Sequence, residues 1–166
     1  MNTRLKLLAA IIVAASLAQP LGAATSTGNV SVAVTVSAGA KLSLSSSTVT
    51  FANADPDTTP SIPASEGIIT ITAKAKTATG ASVTLTVVAA NDLKSGSDTI
   101  TINNVTWTAS GTGFTPGTMN KTTAQTVASW TGSGNRTGTQ SYALANSWSY
   151  VTGAFSTTAS YTLTAP

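Results

Sequence analysis

From Val30 onward the chain alternates apolar and small polar side chains with a period of two, and this pattern limits what it can fold into. A helix repeats every 3.6 residues and a strand every two. In VSVAVTV, Val30, Val32, Val34 and Val36 share one parity, with Ser31, Ala33 and Thr35 between them. The parity continues through Ala38, Ala40, Leu42 and Leu44. One strand of that length is unusual, and Gly39 is the expected break. Val49 and Phe51 close a further short strand. GIITITAKAK sets Ile69, Ile71, Ala73 and Ala75 on one face and Lys74 and Lys76 on the other. ASVTLTVVAA does the same with Val83, Leu85, Val87 and Ala89, after a link at Thr77–Gly80 of hairpin size.

Turn chemistry separates these runs. Residues 53–63, NADPDTTPSIP, read as a loop. Residues 91–97, 111–117 and 132–138 read as further turns or loops. Ile100 and Ile102 oppose the parity of Val105, Trp107 and Ala109, so a bulge or tight turn is expected at Asn103-Asn104. Val127 to Trp130 form a short strand. Tyr142, Leu144, Trp148 and Tyr150 share parity, as do Phe155, Ala159, Tyr161, Leu163 and Ala165. The expectation is an all-β fold: a single antiparallel β-sandwich of Ig-like or Greek-key type, with about eight or nine strands.

The first 24 residues follow a different rule. Arg4 and Lys6 precede an apolar run from Leu7 to Ala18, then Pro20 and the small residues Gly22, Ala23 and Ala24. This is the layout of a secretory signal peptide cleaved after Ala24, and the apolar run is short for a membrane span. The expected organisation is a signal peptide at 1–24, an N-terminal strand segment at 25–40 and a sandwich domain at 41–166. Beyond the signal, six basic residues face five acidic ones, so the isoelectric point near 9.5 owes much to Arg4 and Lys6 and does not point to nucleic acid. The chain has no cysteine, hence no disulfide despite the expected export.

The chain also lacks histidine. The usual general base, thiol nucleophile and most transition-metal ligand sets are therefore missing, and no serine sits in a Gly-x-Ser-x-Gly elbow. The reading is a non-catalytic protein without a cofactor. Asp55 and Asp57, with Asn53, place oxygen ligands on alternate residues, as calcium sites do. They lack the glycine and distal glutamate of a calcium loop, and a solvated turn capped by its own carboxylates is the favoured reading; Asn91, Asp92 and Asp98 read likewise. Trp107 and Trp148 share parity with apolar neighbours and are expected in the core. Trp130 is the candidate for stacking on a sugar ring. Asn29, Asn104, Asn120 and Asn135 each open a glycosylation sequon, which a Thr-rich chain produces by chance.

Two stretches carry family resemblances. GAFSTTASYTLTAP, through Gly153, Phe155, Tyr161, Leu163, Ala165 and Pro166, resembles the close of WxL-type cell-surface domains, with Tyr161 where that family has tryptophan. Val105-Thr106-Trp107-Thr108 followed by Phe114 is similar to the family's earlier Trp motif, with Ala109 in place of leucine. This resemblance implies a secreted β-sandwich that binds peptidoglycan. The N-terminal layout, a signal peptide, an alternating strand and then TVTFANADPDTTP, looks like that of pilus subunits that polymerise by donor-strand exchange. That resemblance implies that Val30, Val32, Val34 and Val36 fill a groove in the next copy.

Two readings of VSVAVTV follow: the first strand of its own sandwich, or a strand added to a neighbour. The expected protein is an exported surface structural or adhesive subunit whose partners are copies of itself. The alternative is a module that binds cell-wall or extracellular glycan.

Overall fold

The structure is a computed structural model and describes residues 25–166. The expected signal peptide at 1–24 lies outside the described residues. The chain divides into two units between Val34 and Thr35, and the second, Thr35–Pro166, holds every strand. Among the described residues no helix is long and apolar enough to cross a membrane.

The second unit is an all-β antiparallel sandwich. Its ten strands are β1 (Gly39–Leu44), β2 (Ser61–Lys76), β3 (Ser82–Ala89), β4 (Leu93–Ser95), β5 (Asp98–Ile100), β6 (Val105–Ser110), β7 (Gly117–Thr118), β8 (Gln125–Thr131), β9 (Gly134–Ala145) and β10 (Ala159–Thr164). One sheet has the order β1-β2-β9-β6-β7, the other the order β10-β3-β8, and β4 and β5 form a separate ribbon.

The alternating residues form the core as expected. Ile69, Ile71 and Ala73 of β2 and Val83, Leu85 and Val87 of β3 are all buried. Their threonine neighbours stay on the outer face, where β-branched hydroxyls suit a pleated, half-wet surface. Trp107 is buried as expected, and its indole N–H donates to the Thr115 carbonyl at 3.0 Å. The parity change after Ile102 is made by a 3-10 turn over Ile102–Asn104, whose first N–H donates to the Asp92 carboxylate at 3.0 Å.

Several expectations need correction. Thr77–Gly80 is not a hairpin link, because β2 and β3 lie in different sheets. At this corner Gly132 takes φ +76 and its N–H donates to the Ala81 carbonyl. Residues 53–63 are not all loop, since β2 starts at Ser61 and Pro63 lies within it. The register against β9 slips between Pro63 and Ile68, where Gly67 at φ +68 turns a bulge, and bulges are where sheets tolerate proline. Phe51 makes only an isolated bridge to Ala64 rather than ending a strand. The expected turn at 132–138 is mostly the first part of β9.

The glycines that suggested that turn have a packing reason. A Cβ on Gly138 would lie 2.3 Å from the Phe114 ring, so the ring can cover the strand only where a side chain is missing. Gly138→Ala is therefore expected to destabilise the domain by about 1–3 kcal/mol through overpacking, read as a lower urea midpoint with unchanged slope.

Candidate functional site: an open groove and an unpaired valine ladder

The first and last strands of the sandwich are both sheet edges. Among the described residues β1 pairs only with β2, and β10 only with β3. Each turns alternate side chains inward: Leu42 and Leu44 from β1, Tyr161 and Leu163 from β10. All four are only partly buried, although they pack against the core cluster. Between the two edges lies a groove of about 730 Å³. Core residues form its floor, among them Ile69, Ile102, Val105 and Met119. The two edges come within 8 Å of each other, Cα to Cα, at their nearest, and the groove is a surface cleft with an apolar floor and a rim that includes Ser46, Ser47, Thr48 and Thr50.

One rim of the groove continues past β1 as residues 46–51. The Ser45 N–H still donates to the Thr70 carbonyl, and the Thr70 N–H returns a bond to the Ser45 hydroxyl, both at 2.9 Å. The chain then leaves β2 over Ser46–Thr48 and rejoins it at Thr50. There the Glu66 carboxylate accepts from both the Thr50 N–H at 2.8 Å and the Thr50 hydroxyl at 2.9 Å. The Thr50 backbone bond is the leading cause holding the Glu66 carboxyl below its ordinary range.

On the other side, β10 is tied to the facing sheet by buried polar groups. The Tyr142 hydroxyl donates to Gln140 Oε1 at 2.9 Å and the Tyr161 hydroxyl to the same atom at 2.5 Å, and the two phenols also meet each other. Gln140 is fully buried. Burial pushes both phenols up, so they remain protonated donors. A shared acceptor between sheets fixes the position of an edge strand that has a neighbour on one side only.

The valine ladder itself is not a strand in this chain. Residues 25–38 carry no strand assignment, and Val30, Val32, Val34 and Val36 are 86%, 91%, 86% and 69% exposed. The expected strand at Val30–Val36 does not form among the described residues, and Gly39 does not separate two strands but opens β1, two residues before the expected domain start. Sequence pattern identified the ladder but not the groove, whose two edges are far apart in the chain.

The remaining candidates fall elsewhere. Trp148 is 70% exposed rather than in the core, and its indole N–H donates to the Asp57 carboxylate at 3.0 Å. Its parity with Leu144 has no meaning, because β9 ends at Ala145. Trp130 is half-buried beside Gly134 and Arg136, and its N–H has no partner. Asp55 caps a turn, accepting the Asp57 N–H at 2.9 Å. Asp92 holds Lys121 as well as the Ile102 N–H, and Asp98 pairs with Ser95 in the β4–β5 ribbon. The Asn91 carbonyl accepts from the Thr157 hydroxyl.

No protein-family model matches the chain, and no curated protein or solved structure matches it.

The Glu66 clasp has a defined pH dependence. Its folded carboxyl is depressed, so its contribution is complete above the ordinary carboxylate range and is lost as pH falls through the depressed value. The protection factor of the Thr50 amide, its intrinsic exchange rate over the observed rate at the same pH, should fall on acidification through that range. In Glu66→Ala it should be low already at neutral pH, with exchange in β3 unchanged.

Proposed function

We propose that the protein is an exported, non-catalytic surface subunit that assembles into a fibre by β-strand addition. Val30, Val32, Val34 and Val36 of one copy enter the groove between β1 and β10 of the next. One observation carries this reading: four alternating valines are exposed and, among the described residues, lie outside every strand, in a chain whose sandwich has a groove with an apolar floor beside the edge strands β1 and β10.

Dimensions and energies support the pairing. Seven extended residues span about 20 Å, and the six residues of β10 about 17–20 Å. Burying four valines contributes on the order of 6–8 kcal/mol. Ordering seven backbone residues costs about 1–2 kcal/mol each, so side-chain burial alone does not suffice. Main-chain hydrogen bonds to the unpaired edges supply the rest, each net about 0.5–1.5 kcal/mol. The same arithmetic explains why neither half is satisfied alone. A bare apolar edge invites pairing with any strand, and the alternating valines select for a groove with pockets on one face.

The reading predicts that the chain starting at Thr25 forms polymers, seen by light scattering and electron microscopy. A chain starting at Ala38 keeps all of β1 and should be a folded monomer. A synthetic peptide covering residues 25–38 should bind that monomer and raise its unfolding temperature. Val32→Asp with Val34→Asp should abolish polymers, because a carboxylate in the groove would be buried without a partner. Polymers that persist in either shortened or substituted chain, or a monomeric chain from Thr25, contradict the reading.

A further inference from the structure

We propose that Trp148 and Asp57 form a saccharide-binding platform that takes a pyranose ring on the open face of the indole. A tryptophan that is 70% exposed forgoes the burial that usually holds so large a ring. Here the ring is held in place from its edge instead. Its N–H donates to Asp57 Oδ1 at 3.0 Å, a bond in the plane of the ring that does not occupy a π face.

The frame beneath is braced. The Asn146 amide donates to the Ala54 and Thr59 carbonyls, both at 3.0 Å, and so ties the loop after β9 to the loop before β2. Asp57 is itself set by a turn in which the Asp55 carboxylate accepts the Asp57 N–H and the Asp55 carbonyl accepts the Thr58 and Thr59 N–H groups. On the other side, the Ser147 and Ser149 hydroxyls meet at 2.8 Å and the Tyr150 hydroxyl donates to the Ala145 carbonyl. An aromatic group held this way loses little freedom when a ligand arrives.

The chemistry around the ring favours a sugar. A pyranose has a C–H face, which the negative face of an indole attracts, and an edge of hydroxyls. Exposed around Trp148 are the Asp57 carboxylate and the Ser149 hydroxyl, able to accept from or donate to such an edge. Apolar exposure in this loop is limited to Trp148 and Val151. A stable protein interface needs a much larger apolar centre, on a buried area of at least about 1,000 Å². Sugar binding here is independent of strand addition, since the platform belongs to one loop pair of a single sandwich.

The test is isothermal titration calorimetry of the chain from Thr25, titrated with chitotetraose, cellotetraose or maltotetraose up to about 10 mM, a range that saturates a low-millimolar site, with heat reporting binding whether or not residue 148 is tryptophan. At least one sugar should give a saturable change. Trp148→Ala should abolish it, and Trp148→Phe, which keeps a ring, should weaken binding by about tenfold or less. Asp57→Ala should weaken binding, and Trp130→Phe should leave it unchanged. No saturable change with any of the three sugars overturns the proposal. So does a change that survives Trp148→Ala, or one lost only in Trp130→Phe. A signal that varies with protein concentration without sugar, and persists in the chain carrying Val32→Asp and Val34→Asp, would assign the face to a second copy and also overturn it.

Discussion

Two sheet edges, β1 and β10, that border one cleft with an apolar floor govern the rest of this structure. A sheet edge is a row of unpaired donors and acceptors, and sandwiches normally cover or shorten theirs. Here both edges are lined by apolar side chains, Leu42 and Leu44 on β1 and Tyr161 and Leu163 on β10. Each edge is therefore held in place by something other than a second strand. Glu66 clamps the segment that follows β1, through Thr50. Gln140 and Tyr142 hold β10 through the Tyr161 hydroxyl. Both walls of the groove are thus pinned from behind.

Much of the sandwich was legible in the sequence, and the failures have physical causes. β3 and the second half of β2 alternate without interruption, so every inward residue was identifiable. The first half of β2 was hidden by Pro60 and Pro63 and by the bulge at Gly67, which reverses parity between Ala64 and Ile69. Gly134 and Gly138 signalled a turn, although Gly138 lies in a strand to make room for Phe114. Trp148 was misplaced because parity was counted past Ala145, where the strand ends. Thr77–Gly80 has the length of a hairpin loop, and loop length does not reveal that the chain changes sheets.

The candidate site was legible only in part. Alternation says which face of a strand is apolar, but not what that face meets, and so VSVAVTV fitted two fates equally well. The groove could not be read from local pattern, because its walls come from residues 42–51 and 157–161, more than a hundred residues apart. Glu66 and Gln140 gave no signal either. A lone glutamate or glutamine in a Thr-rich strand looks like surface, and only the fold shows one accepting two bonds from Thr50 and the other fully buried.

The most direct measurement is a cross-link, and a chain without cysteine suits it. Val34→Cys is made in one preparation, and Leu42→Cys, Leu44→Cys, Ala159→Cys and Tyr161→Cys each in another, one of them isotopically labelled. The preparations are mixed, assembled and oxidised. Disulfides form only when the Cα atoms come within about 7 Å. Strand addition predicts a labelled–unlabelled disulfide dimer for at least one groove position, and a ladder of covalent multimers when both substitutions are in one chain. A doubly substituted chain that closes only on itself, or no cross-link at any of the four positions, would contradict the account.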